Sequence, residues 1–204
     1  MSMIITISRE FGSGGRELGR RLAEALHIAY YDQEIVKELM ERTGFALDYV
    51  RQAEERIPVP LLPITTARTF GIGNNSAIEQ QLSIYNHESD IIKELAEKSD
   101  CVIVGRCADY VLRDMDPVRI FVYADIESKL ARCREKGPDA KDMTDRELRQ
   151  RINSIDKKRS RYYQFYTDNI WGDKENYDLC INTSARDIKK LSLLLAELVK
   201  GIKS

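Results

Sequence analysis

The hydrophobic residues of this chain fall into short apolar runs that are separated by longer amphipathic stretches. The first run, residues 3–7 (MIITI), is uninterrupted and rich in β-branched residues, as in strands that are buried on both faces of a parallel sheet. Four later runs share this character and predict four more strands, at residues 28–31, 101–104, 118–123 and 179–182.

Helical periodicity occupies the intervals between these runs. Apolar residues at spacings of three and four predict an amphipathic helix over residues 16–26 and another over residues 91–96, shortly before the third strand. Two further helices are predicted to begin at capping pairs of a hydroxyl residue and an acidic residue three positions later, Thr144 with Glu147 and Ser184 with Asp187.

The alternation of strands and helices predicts an α/β fold, a three-layer, doubly wound, five-stranded parallel sheet with helices on both faces. Such sheets bind ligands beyond the carboxyl ends of their strands, at the point where the strand order reverses. Polar residues follow several of the predicted strand ends, namely residues 8–15, Asp32, Gly105 with Arg106, and Asp125. We therefore expect the functional site at this edge of the sheet.

Composition excludes several other classes of protein. The 204 residues fit one domain, and 32 Lys and Arg against 33 Asp and Glu argue against a nucleic-acid binder. Four cysteines and two histidines form no zinc pattern, and Cys101 and Cys180 lie in apolar runs where small core residues are expected. The start of the chain lacks the features of a signal peptide, and no run reaches the length of a membrane span. We expect a cytoplasmic protein without nucleic-acid or membrane partners.

The glycine cluster Gly12-Ser13-Gly14-Gly15 lies between the first predicted strand and the first predicted helix. Glycines in this position let successive backbone N–H groups turn inward around a phosphate, and the helix N-terminus adds partial positive charge. The alternative is a glycine-rich turn without a ligand. The buried strand that precedes the cluster favours the phosphate site.

Residues 4–26 (IITISREFGSGGRELGRRLAEAL), followed by YYD at 30–32, resemble the N-terminus of the cytidylate kinase-like family of P-loop nucleoside monophosphate kinases. Three further segments match in the family's order, VIVGRCADYVL at 102–112, DKKRSRYY at 156–163 and YDLCINTS at 177–184. The resemblance implies a P-loop kinase fold, ATP and Mg²⁺ as cofactors, and CMP or dCMP as the phosphate acceptor. It also implies one domain over residues 1–204, with an acceptor-side insertion at about 40–90 and a lid at about 134–160.

The glycine turn departs from the P-loop pattern G-x-x-x-x-G-K-[ST], in which the lysine contacts phosphates and the hydroxyl residue binds Mg²⁺. Aligned by strand and helix, Arg9 replaces the first glycine, Gly15 the lysine and Arg16 the hydroxyl residue. Arg9 or Arg16 can supply the positive charge, and Glu17 or Glu10 is a candidate ligand for the metal. The expected phosphate-binding set is Arg9, Gly12, Ser13, Gly14, Gly15, Arg16 and Glu17.

The expected acceptor site comprises Arg106, Asp109 and Asp32. By the resemblance, Arg106 binds the acceptor's phosphate, Asp109 approaches its sugar or base, and Asp32 is the acidic residue after the second strand. Gln33 and Glu34 follow Asp32 here, where the family has Thr-Gly, so recognition of the base or ribose is expected to differ. A kinase for another small acceptor therefore remains an alternative. The missing P-loop lysine leaves a nucleotide-binding protein without turnover as a second alternative.

The densest basic cluster of the chain is DKKRSR at residues 156–161. By the resemblance, Arg159 and Arg161 of this cluster, together with Arg16, neutralise the charge that develops during phosphoryl transfer. Arg134 and Arg151 are weaker candidates for the same role. A solvated charged face is the alternative for such a run. Five aromatic residues between 162 and 171 are interpreted as a core or subunit-contact cluster, with stacking on a nucleobase as the alternative, and a homodimer is possible.

Overall fold

The computed structural model describes residues 2–46 and 75–203. Its sheet has five strands in the order β2-β3-β1-β4-β5, and every neighbouring pair is parallel. The strands are β1 Ile4–Arg9, β2 Ala29–Tyr31, β3 Cys101–Val104, β4 Val118–Tyr123 and β5 Leu179–Asn182. This arrangement confirms the predicted doubly wound parallel sheet.

Seven α-helices connect or follow the strands in the described part of the chain. They are α1 Gly15–Leu26, α2 Gln33–Thr43, α3 Asn75–Lys98, α4 Ala108–Val111, α5 Ile126–Lys136, α6 Asp145–Thr167 and α7 Ile188–Lys203. Among the residues described, no helix combines the length and the apolar character that crossing a bilayer requires.

The helices cover both faces of the sheet, which explains why its strands are continuous apolar runs. Alternate residues of β1 belong to two separate cores. Ile4 packs with Leu39 of α2 and Ile92 of α3 on one face, whereas Ile7 packs with Leu22 of α1 on the other, where α7 completes the layer. β1 is therefore held from both sides, and the turn that follows it starts from a rigid element.

The two predicted capping pairs have different outcomes. At the start of α6 the pair is confirmed, because the Glu147 N–H donates to the Thr144 hydroxyl at 3.3 Å and the Glu147 carboxylate accepts from the Thr144 N–H at 2.8 Å. At the start of α7 the prediction is wrong. Asp187 caps the helix by itself, accepting from the N–H of Lys189 at 2.8 Å, and the Ser184 hydroxyl accepts from the Asp125 N–H instead. The helix begins one residue after Asp187, so Asp187 takes the position that was predicted for Ser184.

The prediction that two cysteines lie in the core is correct for one of them. Cys101 in β3 is buried, whereas Cys180 in β5 is exposed. β5 is an edge strand, and its residues alternate between partly buried and exposed. An apolar run on a sheet edge therefore need not be buried on both faces.

The predicted insertion and lid fall partly outside the described residues. Residues 47–74 of the predicted insertion at 40–90 are not described, and they include most of the proline-containing stretch at 57–76. The predicted lid at 134–160 comprises the end of α5, a 3₁₀ turn at Pro138–Ala140 and much of α6.

Candidate functional site

Two adjoining cavities lie at the carboxyl ends of the strands. The strand-end cavity, of about 490 Å³, is lined by the ends of β1 and β3, by α2 and by α6. The turn cavity, of about 790 Å³, is lined by the glycine turn, the start of α1, the end of α5 and part of α6. Arg16, Asp32 and Gln33 line both cavities and form their common border.

The glycine turn presents backbone donors to the turn cavity. Gly12 and Gly14 have positive φ angles of 75° and 83°, which few other residues adopt. A Cβ atom on Gly12 would also lie 3.1 Å from the Lys129 carbonyl oxygen. Among the described residues, the N–H groups of Gly12, Gly14 and Arg16 have no acceptor. Unpaired N–H groups at the start of a helix are the donors that bind a phosphate.

Ser13 serves the turn itself and does not line either cavity. Its side chain is fully buried, and its hydroxyl donates to the Glu10 carbonyl at 2.8 Å. Its own carbonyl accepts from the Thr183 hydroxyl at 2.6 Å. The hydroxyl group therefore stabilises the turn, and among the described residues the nearest unpaired N–H groups that line the turn cavity are those of Gly12 and Gly14.

A charge network that sequence reasoning missed lies behind the turn. Lys129 of α5 places its Nζ 2.7 Å from the Glu10 carboxylate and 3.2 Å from that of Asp156 in α6. Asp156 also accepts from the Phe11 N–H at 2.6 Å. The lysine is almost fully buried, so the carboxylates of Glu10 and Asp156 replace the hydrating water that its ammonium group loses. Two helices are thereby tied to the backbone of the turn.

Arg16 and Asp32 form an ion pair at the common border of the cavities. The Arg16 Nε lies 2.6 Å from the Asp32 Oδ2, with Asp32 buried and Arg16 largely exposed. Arg106 also reaches Asp32, since its guanidinium donates to the Asp32 carbonyl at 3.0 Å and lies 3.9 Å from the carboxylate. The structure thus brings together three residues that were predicted for two different roles.

Arg106 is oriented by an acid that the sequence did not reveal. Glu88 of α3 is 1% exposed, and its carboxylate accepts from the Arg106 Nε at 3.2 Å and from the Tyr162 hydroxyl at 3.2 Å. Arg106 itself has a φ of +55°, in the left-handed region. Its guanidinium is therefore held between Glu88 and Asp32 and faces the strand-end cavity.

Arg9 lies in the strand-end cavity and not in the turn cavity. Its guanidinium packs on Gly105, where a Cβ atom would come within 2.9 Å of the Arg9 Cζ. Burial, together with the nearby Arg159 cation, lowers the pKa of Arg9 to about 9. The side chain was predicted to contact the donor phosphates, but the structure directs it to the opposite side of the common border.

Asp109 is close to the strand-end cavity without lining it. The carboxylate is buried and accepts a hydrogen bond of 2.6 Å from the hydroxyl of Tyr163, which does line the cavity. Burial raises the pKa of Asp109. The predicted contact between Asp109 and a ligand would have to pass through Tyr163.

The two arginines predicted from the basic cluster lie on different sides of α6. Arg159 lines the strand-end cavity and donates to the Arg9 carbonyl at 2.9 Å, whereas Arg161 is exposed and lines neither cavity. An α-helix turns by about 100° per residue, so positions two apart cannot face one site. Lys158 lines the strand-end cavity in place of Arg161.

The weaker arginine candidates also separate. Arg151 lines the turn cavity, whereas Arg134 lines neither cavity and donates to Asp145. Of the five aromatic residues singled out in the sequence, Tyr162, Tyr163 and Trp171 line the strand-end cavity. Trp171 also packs edge-on against Phe121, with ring centroids 5.3 Å apart.

The donor groups at the turn do not make a preformed Mg²⁺ site. Position 16 is an arginine, and the Glu17 carboxylate is bonded to Arg21 at 2.8 Å and to Lys136. Against the opposing effect of burial, these two cations lower the pKa of Glu17. No group of three or more metal-ligating residues occurs within residues 2–46 and 75–203. The Glu17 carboxylate is therefore committed to cations of the protein.

Residues 4–185 match the model of the cytidylate kinase-like family. The chain is also similar to an uncharacterized protein from Eubacterium ventriosum, at 25% identity and a TM-score of 0.69 over 97% of this chain and 98% of the other. The shikimate kinase from Acinetobacter baumannii, solved with shikimate, has 16% identity and a TM-score of 0.55 over 100% and 95%. The deoxyadenosine kinase from M. mycoides has 12% identity and a TM-score of 0.50 over 98% and 100%. No curated protein matches the chain.

Proposed function

Because this chain belongs to the cytidylate kinase-like family, we propose that it transfers the γ-phosphoryl group of ATP to a nucleoside monophosphate, with CMP and dCMP as the first candidates. The observation that carries this proposal is the pair of adjoining cavities that meet at Arg16 and Asp32. Transfer between two bound substrates requires two sites whose reacting ends touch. The solved kinases that share the fold support phosphoryl transfer.

The turn cavity is assigned to the donor nucleotide. The N–H groups of Gly12, Gly14 and Arg16, which have no acceptor in the described part of the chain, suit the phosphate chain of ATP. Arg151 lines the same cavity and adds positive charge. Backbone donors of a glycine turn bind phosphate whatever the neighbouring side chains are. The missing lysine therefore weakens the site without removing it.

The strand-end cavity is assigned to the acceptor. An oxygen of the acceptor's phosphate attacks the γ-phosphorus, the bond from that phosphorus to the β–γ bridging oxygen breaks, and ADP leaves. Arg16 at the border and Arg159 on α6 would stabilise the charge on the transferring group. Mg²⁺ would reach the site on the phosphates of ATP, because the described side chains at the turn are paired with cations.

An assay of ADP release with ATP, Mg²⁺ and a panel of acceptors tests this function. We expect ADP formation that depends on CMP or dCMP, with matching amounts of the diphosphate detected by chromatography. Shikimate belongs in the panel because a protein of the same fold was solved with it. Turnover with shikimate alone would replace the nucleotide acceptor, and no turnover with any nucleoside monophosphate would contradict the proposal.

A nucleotide-binding protein without turnover is the second candidate, and two observations favour it. The turn lacks both the lysine and the hydroxyl residue of a P-loop, and Arg16 is engaged by Asp32 at 2.6 Å. This candidate predicts that ATP and CMP bind but that no diphosphate forms. Phosphotransfer that is abolished by Arg16→Ala would exclude it.

A further inference from the structure

Arg9 occupies the position where a P-loop begins with glycine, yet its side chain does not contribute to the turn cavity. It lines the strand-end cavity together with Ser8, Gly105 and Arg106. Its backbone carbonyl is fixed by the Arg159 guanidinium at 2.9 Å. The residue at the first position of the turn therefore serves the neighbouring site.

Two glycines from separate elements make room for this side chain. A Cβ atom on Gly15, at the start of α1, would lie 2.5 Å from the Arg9 Cβ, and one on Gly105 would lie 2.9 Å from the Arg9 Cζ. The first glycine clears the stem of the arginine and the second clears its head group. Arg9 is thus held in one direction by packing as well as by its backbone.

The cations beside Arg9 have carboxylate partners, but Arg9 has none among the described residues. Arg16 pairs with Asp32, and Arg106 pairs with Glu88. No described carboxylate lies within 4.0 Å of the Arg9 guanidinium. Burial and the Arg159 cation lower the pKa of Arg9 to about 9 against the opposing charge of Asp32, so Arg9 stays protonated at neutral pH. A charged group in such surroundings is stabilised by an anion that arrives from outside.

The two cavities also differ in the charges of the residues that line them. Of the described residues that line the strand-end cavity, six are cationic and one, Asp32, is acidic. The cationic residues are Arg9, Arg16, Lys37, Arg106, Lys158 and Arg159. Of those that line the turn cavity, five are cationic and four are acidic. The strand-end cavity therefore has the greater need of an anionic ligand.

We propose that Arg9 is a specificity-determining residue of the strand-end cavity, where it binds the phosphate of the acceptor, and that it has no part in holding ATP. The identification of this phosphate as the acceptor's rests on the proposed function. The binding of an anion by Arg9 in this cavity does not require turnover. A guanidinium that approaches a phosphate with two N–H groups discriminates strongly against a ligand that lacks the phosphate.

Trp171, the one tryptophan of the chain, lines the strand-end cavity, so its fluorescence can follow binding there. The ligands are CMP, cytidine, inorganic phosphate and ATP. The variants are Arg9→Met, which keeps an unbranched stem, and Arg9→Lys, which keeps the charge. The matched control is Arg149→Met, at an arginine of α6 that pairs with Glu127 and lines neither cavity. Calorimetry gives the affinity for ATP independently of the fluorescence.

In the wild type and in Arg149→Met we expect CMP to bind at least tenfold more tightly than cytidine, and inorganic phosphate to compete with CMP. Arg9→Met should lose at least tenfold in CMP affinity, keep its cytidine affinity and keep its ATP affinity within twofold. Arg9→Lys should recover part of the CMP affinity, which shows that the fold is intact.

Three results would overturn the inference. They are equal losses of ATP and CMP affinity in Arg9→Met, unchanged CMP affinity in that variant, and a wild type that binds neither CMP nor phosphate. The proposed function fails differently, by absence of ADP formation in the turnover assay. Binding of CMP that depends on Arg9, without any turnover, would therefore support the inference while removing the kinase.

Discussion

The Arg16 guanidinium and the Asp32 carboxylate are joined at 2.6 Å, at the one place where the two cavities meet in the described structure. Asp32 is buried beside two arginines, whereas Arg16 is exposed enough to turn toward a phosphate. Asp32 can hold the Arg16 side chain in place while the site is empty, and a phosphate group that binds can replace Asp32 as its partner. Arg16 would then exchange one anionic partner for another.

Asp32→Asn tests this relationship. The substitution leaves Arg16 and Arg106 without a carboxylate they share, so we expect a loss of about 1–2 kcal/mol in the free energy of unfolding, measured by urea denaturation. Added phosphate should restore part of the loss, because it replaces the missing charge. Glu94→Gln, which breaks an exposed pair with Arg42, is the matched control and should leave stability unchanged. An unchanged free energy of unfolding in Asp32→Asn would show that the charge of the Asp32 carboxylate does not stabilise the folded protein.

Arg159→Ala and Arg161→Ala form a second, internally matched test. The two residues are two positions apart on α6, and only Arg159 lines the strand-end cavity. We expect Arg159→Ala to lower kcat by 10²-fold or more, because the arginine would neutralise charge that develops in the transition state. Arg161→Ala should retain kcat within twofold. Equal losses in both variants would restore the role that the basic cluster suggested for Arg161.

Glu88→Gln tests whether Arg106 needs its buried partner. The glutamine has one acceptor oxygen in place of the two that bind the Arg106 Nε and the Tyr162 hydroxyl, and it lacks the charge that balances the guanidinium. We expect KM for the acceptor to rise by about tenfold, with little change in KM for ATP, because Glu88 acts through Arg106 and does not contact the turn cavity. An equal rise in both KM values would indicate general damage to the fold and not a positioning role.

Much of this architecture is predictable from local patterns. The five strands follow from apolar runs, and the glycine turn and the polar strand ends follow from their positions along the chain. The partners that hold the site are not local. Glu88 contacts Arg106 across 18 positions of the sequence, and Asp156 contacts the Phe11 N–H across 145. The sequence around one partner therefore does not indicate the other.

The direction of Arg9 was equally hidden from the sequence. Its placement beside a glycine turn suggested contact with donor phosphates, whereas the packing on Gly105, nearly a hundred positions away, directs it into the strand-end cavity. The separation of Arg159 from Arg161 is different, since helical periodicity alone places them on different sides. That distinction was available in the sequence once α6 was recognised as one continuous helix.

Gly105→Ala tests how the direction of Arg9 is maintained. Gly105 has a φ of +84°, and an added Cβ atom would collide with the Arg9 guanidinium. Gly44→Ala is the matched control, because Gly44 has a φ of +70° but no atom of the described structure lies within 4 Å of an added Cβ. Both variants should lose about 1 kcal/mol of stability from the strained backbone. Only Gly105→Ala should also lose CMP affinity, measured through Trp171 fluorescence, and equal CMP affinity in both would contradict the packing argument.

Arg9→Met is also expected to change the stability of the folded protein. The pKa of Arg9 is lowered to about 9 by burial and by Arg159, so the folded protein holds this proton less firmly than the unfolded chain does. Below about pH 9 the arginine is charged in both states, and the cost of that charge is therefore fully present at pH 7 and fades as pH rises from 9 toward the ordinary arginine value.

Replacing the guanidinium with the apolar methionine side chain should accordingly raise the free energy of unfolding at pH 7, on the order of 1 kcal/mol after some packing on Gly105 is lost. The same variant should lose the increase in Tm that phosphate gives the wild type, since it lacks the charge with which the anion would pair. Thermal unfolding with and without 10 mM phosphate, roughly a saturating level for a millimolar site, measures both effects. A less stable Arg9→Met protein that still responds fully to phosphate would show that Arg9 supports the fold and that the anion binds elsewhere.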